Sequence, residues 1–353
     1  MAIDERGTDE DARAAALPWP DLPPWHERQL AQLLGAREIL PNALLFHGPR
    51  GIGKHALALH LARGLLCETP VEHGLACGAC PGCRYVVAGQ HPDLMRLELW
   101  SLEADTGERI ASDTIPIDRI RALTDFVQLT SHRQGGKVAV IAPAERMNPP
   151  AANALLKTLE EPPPGTYLLL VSDQPGRLPA TVVSRCRKVP VVAPEMEAAA
   201  AWLASAGVDS VADALAQAGG APLAALALAD AGLQSERRAW LTALSRPDRL
   251  AVIATAARVE QGPRDERKAR LANALDWLVA WTADLARVRA GAQAQRNPDF
   301  ADALAVLAPR VAALPLFRYH RAVLEQRGLV AHPLQARLVA ESLLLQYRDL
   351  FNA

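Results

Sequence analysis

The 353-residue sequence contains no run of about eighteen or more uncharged apolar residues. Its first sixteen residues are acidic and Ala-rich instead of basic and then apolar. These absences exclude a helical membrane span and a secretory signal, and make the cytoplasm the expected compartment. An excess of charge is missing as well: 38 Lys and Arg stand against 39 Asp and Glu, a formal net charge of −1. No chain-wide attraction to nucleic acid or to an acidic membrane follows, although a local basic patch is compatible with that balance. Cysteine is scarce, with five residues, and four of them fall between Cys67 and Cys83. Clustering of that kind in a chain of this size favours a metal site over a disulfide framework.

What is present reads as a soluble globular protein, half apolar and 22% charged. Its length predicts two or three domains. The first sixteen residues are expected to be a disordered leader, followed by the Pro-rich "LPWPDLPPWHERQL". "NALLFHG" then suits a buried strand, and "GKHALALHLARGLL" has helical spacing; a strand, a Gly-rich turn and a helix in that order begin a parallel α/β sheet. Further strands are predicted at "GGKVAVIAP", "TYLLLVSD" and "RKVPVV". Helices are predicted at "IPIDRIRALTDFVQLT" and at "NPPAANALLKTLEEPPP", the latter with Asn148 as N-cap and Pro162 to Pro164 as its stop. From about Pro194 the pattern is helical almost to the end, and stripes such as "LDWLVAWTADLARV" read as ordinary helix packing.

"GPRGIGKH" fits the phosphate-loop pattern G-x-x-x-x-G-K through Gly48, Pro49, Gly51, Gly53 and Lys54, but closes with His55 where a Ser or Thr belongs. The glycines let backbone N–H groups turn towards phosphate oxygens, and Lys54 can reach the terminal phosphates. An imidazole is a poor ligand for Mg²⁺, a hard cation that takes oxygen. Hydrolysis also needs carboxylates at the end of a neighbouring strand. "KVAVIAPAERM" offers Pro143 and Ala144 there, with Glu145 one position late and therefore, on a strand, on the other face. Two requirements of phosphoryl transfer fail together, which predicts a catalytically dead site. Weak ATP or ADP binding and a bare Gly-rich turn both stay open.

Cys67, Cys77, Cys80 and Cys83 are spaced C-x₉-C-x₂-C-x₂-C. Four thiolates with no open position describe a structural Zn²⁺ site, with Gly78 and Gly82 relieving the tight turns and Cys67 closing the tetrahedron from the end of the preceding helix. His73 could substitute for one ligand but is not needed. Cys186 stands apart and is expected to pack as a small apolar residue.

In their order along the chain, "HGPRGIGKHALALHLARGLLC", the four-cysteine insert followed by "GQHPDL", the run "AANALLKTLEEPP" and the triplet "SRC" at Ser184 to Cys186 resemble the delta-prime family of bacterial DNA polymerase III clamp-loader subunits, which are AAA+ proteins. The resemblance is dense over about residues 44 to 191 and weaker beyond. It implies an α/β RecA-like AAA+ domain over residues 17–193 carrying a zinc module at 67–83, a helical lid over 194–234, and a helical collar over 235–353 that joins a five-membered ring. It also implies the partners: ATP-hydrolysing gamma/tau subunits and a delta subunit, with the sliding clamp and primed DNA met through the complex, and no membrane. The implied role is that of a non-catalytic stator within the DNA polymerase III holoenzyme. His55, Pro143 and Ala144 stand where active relatives keep metal and water ligands, and Leu223 where they keep a lid Arg. Arg185 matches a residue that reaches the γ-phosphate of ATP held by a neighbouring subunit, an arginine finger acting in trans. Lys157, Glu160 and Glu161 of the shared helix read equally well as a solvated or an interface face.

Two other functions compete with this one. A self-sufficient ATPase would use Glu145 or a remote acid. A zinc-dependent DNA-binding module would need a basic footprint, yet between Thr69 and Arg84 the only Lys or Arg is Arg84 itself.

Overall fold

The computed structural model describes residues 19–102, 109–133, 136–263, 266–330 and 335–352. The expected leader at 1–16 lies outside the described residues. The chain divides into two compact units that meet at Pro194 and Glu195.

In the first unit a 3₁₀ turn at Pro24–His26 leads into α1 (Glu27–Gly35). β1 (Ala43–His47), α2 (Lys54–Leu65), α3 (Pro81–Val87), β2 (Leu94–Leu97), β3 (Trp100–Leu102) and β4 (Arg109–Ala111) follow. The unit is completed by α4 (Ile117–Gln128), β5 (Lys137–Ile141), α5 (Pro149–Glu160), β6 (Thr166–Ser172), α6 (Ala180–Val183) and β7 (Arg187–Pro190). Five strands form one sheet in the order β2-β5-β6-β1-β7, with every neighbouring pair parallel. β3 and β4 form a separate antiparallel pair.

Parallel strands covered by helices on both faces are apolar throughout, and all five residues of β5 are buried. Successive side chains alternate between the faces. Leu45 of β1, Ala139 and Ile141 of β5, and Leu168 and Leu170 of β6 share a core with Ile120, Leu123 and Val127 of α4 and Ala151, Leu155 and Leu159 of α5. The intervening residues, Leu44, Phe46, Val138, Val140 and Leu169, are equally buried and face the other side, where α2 packs on β1, β5 and β6. A helix in that position is apolar nearly all round, as its Leu57, Ala58, Leu59, Leu61, Ala62 and Leu65 are. Asn148 caps α5, its Oδ1 accepting the Ala151 N–H at 2.9 Å.

The strands expected from sequence cover β1, β5, β6 and β7, but not β2 of the sheet nor the antiparallel pair β3 and β4. The four residues of β2, "LMRL", carry Arg96 in mid-strand, and the strand forms the sheet edge beside β5. Only one neighbour supports it, so no continuous apolar run announces it.

The second unit is helical among the described residues. α7 (Met196–Ser205), α8 (Val211–Ala218) and α9 (Pro222–Leu228) enclose a small core of Ala199, Leu203, Ala214, Leu215 and Ala225. α10 (Ala231–Leu244), α11 (Val252–Ala256), α12 (Glu266–Arg289), α13 (Ala301–Leu307), α14 (Ala313–Leu329) and α15 (Ala336–Asp349) build a larger one around Trp240, Trp281 and Tyr347. The expected boundary at 234/235 falls inside the continuous helix α10. Leu233 already packs on the larger core, so the change between the two cores happens along a helix and not in a linker. No single helix among the described residues is long and apolar enough to cross a membrane.

Candidate functional site

The phosphate-loop residues lie between β1 and α2, at the carboxyl end of the sheet, where open α/β folds bind ligands. Gly53 has φ +97°, and a Cβ there would come within 2.7 Å of Pro23 Cγ and 3.1 Å of the His26 ring. Glycine is therefore required both by conformation and by close approach. The segment before α1 covers the loop: Trp25 Nε1 donates to the Ile52 carbonyl at 3.0 Å, and His26 Nε2 lies 2.6 Å from the same oxygen. Trp25 Nε1 also lies 3.1 Å from His26 Nε2, but the carbonyl can only accept, so the shorter contact has His26 donating from Nε2 and leaves Trp25 to the carbonyl. Burial pushes the His26 imidazole below its ordinary range, outweighing the Ile52 contact, which keeps the ring neutral.

Lys54 is 3% exposed, and its ammonium turns back into its own loop, 2.6 Å from Asp173 Oδ1 and 2.5 Å from the Pro49 carbonyl. Two of its three N–H donors are thus committed within the protein, and an incoming phosphate would compete with the Asp173 carboxylate for its charge. His55 Nε2 lies 3.3 Å from Glu98 Oε1. The same carboxylate receives Arg96 Nε at 2.8 Å and Trp100 Nε1 at 2.9 Å. Burial raises the Glu98 carboxyl, but contact with His55, the charge of Arg96 and the Trp100 bond outweigh it and bring the pKa to about 2. Position 55, the place of a metal-ligating hydroxyl, is thus filled by an imidazole whose Nε2 faces, without hydrogen-bond geometry, a carboxylate already bonded to Arg96 and Trp100.

β5 ends at Ile141, and the residues beyond it are Ala142, Pro143 and Ala144, none of which has a carboxylate. Glu145 needs a correction. It lies in a 3₁₀ turn, Ala144–Arg146, past the end of the strand, so alternation between sheet faces does not govern it. Its Oε1 accepts the Asp173 N–H at 3.1 Å, and its buried Oε2 has no hydrogen-bond partner. Glu145 therefore braces the residue that holds Lys54.

The four cysteines converge, with all Sγ atoms within 4.8 Å of one another. Cys67 and Cys80 Sγ are 3.9 Å apart, and Cys77 and Cys83 Sγ 4.0 Å. A tetrahedron of Zn–S bonds of about 2.3 Å has edges of about 3.8 Å, so the donor set fits Zn²⁺. Cys67 follows directly on the end of α2, and Cys80 is the N-cap of α3, its sulfur accepting the Cys83 N–H at 3.3 Å. The Cys77 N–H donates to Cys67 Sγ, the Cys80 N–H to Cys77 Sγ, each at 3.3 Å, and the Thr69 hydroxyl to Cys77 Sγ at 3.2 Å. Donors aimed at sulfur favour thiolates. They hold Cys77 down to about 5, Thr69 contributing most, while burial pushes Cys83 up to about 12. Gly78 is left-handed at φ +77° as a turn requires. Gly82 instead lies within α3, where a Cβ would approach the Leu66 carbonyl to 2.8 Å, so close packing and not a turn demands it. His73 is exposed and pairs with Glu72 at 3.3 Å, outside the cluster. Cys186 is buried in the α4/α5 core, and burial raises its thiol to about 11.

Arg185 follows α6 and is exposed. Its Nε donates to Glu160 Oε1 at 2.7 Å and its Nη1 to the Thr181 carbonyl at 3.0 Å, while Nη2 also pairs with Glu160. Leu223 lies in α9 of the second unit.

Sequence reasoning missed Asp173, Glu98, Trp25 and His26. Asp173 carried a usable signal, because it ends the apolar run of β6 at the ligand-binding edge of the sheet. Glu98 was hidden with the unrecognised β2.

Residues 27–194 match the family model described as DNA polymerase III, delta subunit. The DNA polymerase III subunit delta' of Pseudomonas aeruginosa is 43% identical over 221 residues, covering 62% of this chain and 64% of that protein. The Escherichia coli subunit delta' is 37% identical over 213 residues, 60% of each. DNA polymerase III subunit tau of Salmonella typhimurium is 32% identical over 185 residues, 49% of this chain and 27% of that one. The matches thus span under two thirds of the length of these relatives. A solved DNA polymerase III gamma subunit-related protein from Thermotoga maritima aligns over 91% of this chain and 99% of its own, at 17% identity and a TM-score of 0.46. Over residues 27–194, just under half of its length, the chain thus matches the DNA polymerase III delta subunit model, and over about three fifths of its length it is similar to delta' subunits of DNA polymerase III at 37% and 43% identity.

Proposed function

We propose that this chain is a non-catalytic, stator-like subunit of the DNA polymerase III clamp loader, which supports ATP-dependent loading of the sliding clamp on primed DNA in the cytoplasm. It joins gamma/tau and delta subunits in a hetero-pentameric ring and lends Arg185 in trans to an ATPase neighbour. The observation that carries this reading is Lys54, buried and committed to Asp173 and Pro49, beside a His55 that offers Mg²⁺ no oxygen. Such a site has its ammonium already neutralised by a carboxylate and lacks the oxygen seat for Mg²⁺ that phosphoryl transfer requires. Arg185, by contrast, is exposed with its guanidinium already oriented.

A guanidinium arriving at the γ-phosphate stabilises charge that develops in the transition state, an effect of about 10³ to 10⁵ in rate for arginine fingers. Zn²⁺ bound by Cys67, Cys77, Cys80 and Cys83 would supply a structural cross-link and no catalytic position. The α/β domain at 17–193, the lid at 194–234 and the collar at 235–353 would form the three parts of the subunit, the collar serving ring assembly.

Reconstitution with gamma/tau and delta tests the reading. Arg185→Ala should leave assembly intact and depress ATP turnover stimulated by clamp and primed DNA; unchanged turnover would remove the finger. Steady phosphate release by the purified chain alone, abolished by Lys54→Ala, would restore the alternative of a self-sufficient ATPase.

A further inference from the structure

We infer that Glu160 is the positioning residue for Arg185, fixing the guanidinium in the orientation it presents to a neighbouring subunit. The inference rests on the trans-finger reading and deepens it.

Arg185 has five N–H donors. Nε and Nη2 both engage Glu160 Oε1, and Nη1 engages the Thr181 carbonyl. Three donors are thereby used, leaving one on each terminal nitrogen for an incoming anion. The occupied edge is the one nearest the side-chain stem. Rotation about the Cδ–Nε bond is blocked as long as Glu160 holds that edge, so the free donors are kept pointing away from the chain.

Glu160 is well placed for this task. It is the last residue of α5, and the helix is closed behind it by the Glu161 N–H on the Lys157 carbonyl and by Pro162 to Pro164. The carboxylate therefore projects from a rigid end, while Arg185 sits just beyond the short α6 that packs on α5. Both side chains are well exposed, 35% for Arg185 and 48% for Glu160. Exposed pairs of this sort contribute little to fold stability. Orientation of the guanidinium is what the contact supplies, and orientation of a catalytic group governs rate more than binding.

The reconstituted loader with gamma/tau, delta, clamp and primed DNA tests this through four variants. Glu160→Ala should lower kcat for ATP about 5- to 50-fold with KM within about twofold of wild type. Glu160→Gln, whose oxygen still accepts from Nε, should recover most of that loss. Glu160→Ala combined with Arg185→Ala should match Arg185→Ala alone, since the carboxylate acts only through the guanidinium. In the isolated chain, Glu160→Ala should leave the melting temperature within about 2 °C and raise the NMR-detected mobility of the Arg185 Nε–H, a change that a merely structural role would not produce. Wild-type or faster turnover of Glu160→Ala, or losses that add to those of Arg185→Ala, would overturn the positioning role while leaving the finger in place. Wild-type turnover of Arg185→Ala would remove both.

Discussion

Asp93, the acid of "GQHPDL", takes no part in the proposed chemistry, and replacing it with Ala should unfold the first unit at a much lower temperature. The residue is 0% exposed. Its carboxylate accepts the His132 N–H at 2.9 Å and the Arg133 N–H at 2.8 Å, and lies 3.1 Å from the ammonium of Lys137, itself 3% exposed. Without it, Lys137 keeps, among the described residues, the face of Phe126, 4.2 Å away, and two backbone N–H groups lose their acceptor. Breaking a buried ion pair from one side costs about 3–5 kcal/mol, and a stranded N–H about 1–3 kcal/mol. The terms overlap, so about 4–5 kcal/mol is expected in total, or roughly 8–20 °C in melting temperature for a unit of this size. Calorimetry of wild type and Asp93→Ala reads this directly; a shift of under about 2 °C would refute the reasoning. Burial raises the Asp93 carboxyl, but the His132 and Arg133 N–H groups and Lys137 outweigh it and hold it below the usual range. A depressed carboxyl stabilises fully above its unfolded pKa of about 3.9 and loses that contribution as pH falls through the folded value. The acid limb of the stability profile should therefore flatten in Asp93→Ala.

Other substitutions probe the metal centre and the packing. The purified chain should carry one Zn²⁺, lost in Cys83→Ala and with chelator, and hydrogen exchange should then show residues 67–88 opening; structural zinc is worth about 10–16 kcal/mol in small zinc-binding peptides. A chain purified without metal would refute the four-thiolate site. Gly82→Ala should cost about 1–3 kcal/mol, because its Cβ would crowd the Leu66 carbonyl at 2.8 Å; calorimetry showing no loss would mean that α3 shifts freely. Asn148→Ala removes the α5 cap and should cost about 1 kcal/mol, with Asn148→Asp close to neutral by the same melt.

Legibility of the fold followed apolar runs: even the edge strand β7, with only Val189 buried, is announced by "RKVPVV". β1, β5 and β6 are central, so both faces are apolar and the run itself announces the strand. β2 lies at an edge, contains Arg96, and could be found only by knowing that a partner strand stands beside it. The cysteines were legible because metal ligation constrains residue type and spacing together. The surroundings of Lys54 were legible only in part: Asp173 stands at the end of the apolar run of β6, but its reach to Lys54 follows from the adjacency of β6 and β1, a property of strand order. The contact of His26 with Ile52 bridges distant segments in the same way. Helix α10 was legible in principle, since "AGLQSERRAW" has no Pro and no Gly after Gly232 to break it at 234/235.

The pairing of His55 with Glu98 acts as an epistatic lock. A Thr placed at 55 would offer magnesium an oxygen but stop short of the Glu98 carboxylate, whose remaining partners, Arg96 of β2 and Trp100 of β3, stay where they are. The missing acids beyond Ile141 and the commitment of Lys54 to Asp173 would be untouched. On the proposed reading, ATP turnover by this chain alone would take several coordinated replacements, so a single substitution at 55 should not produce it.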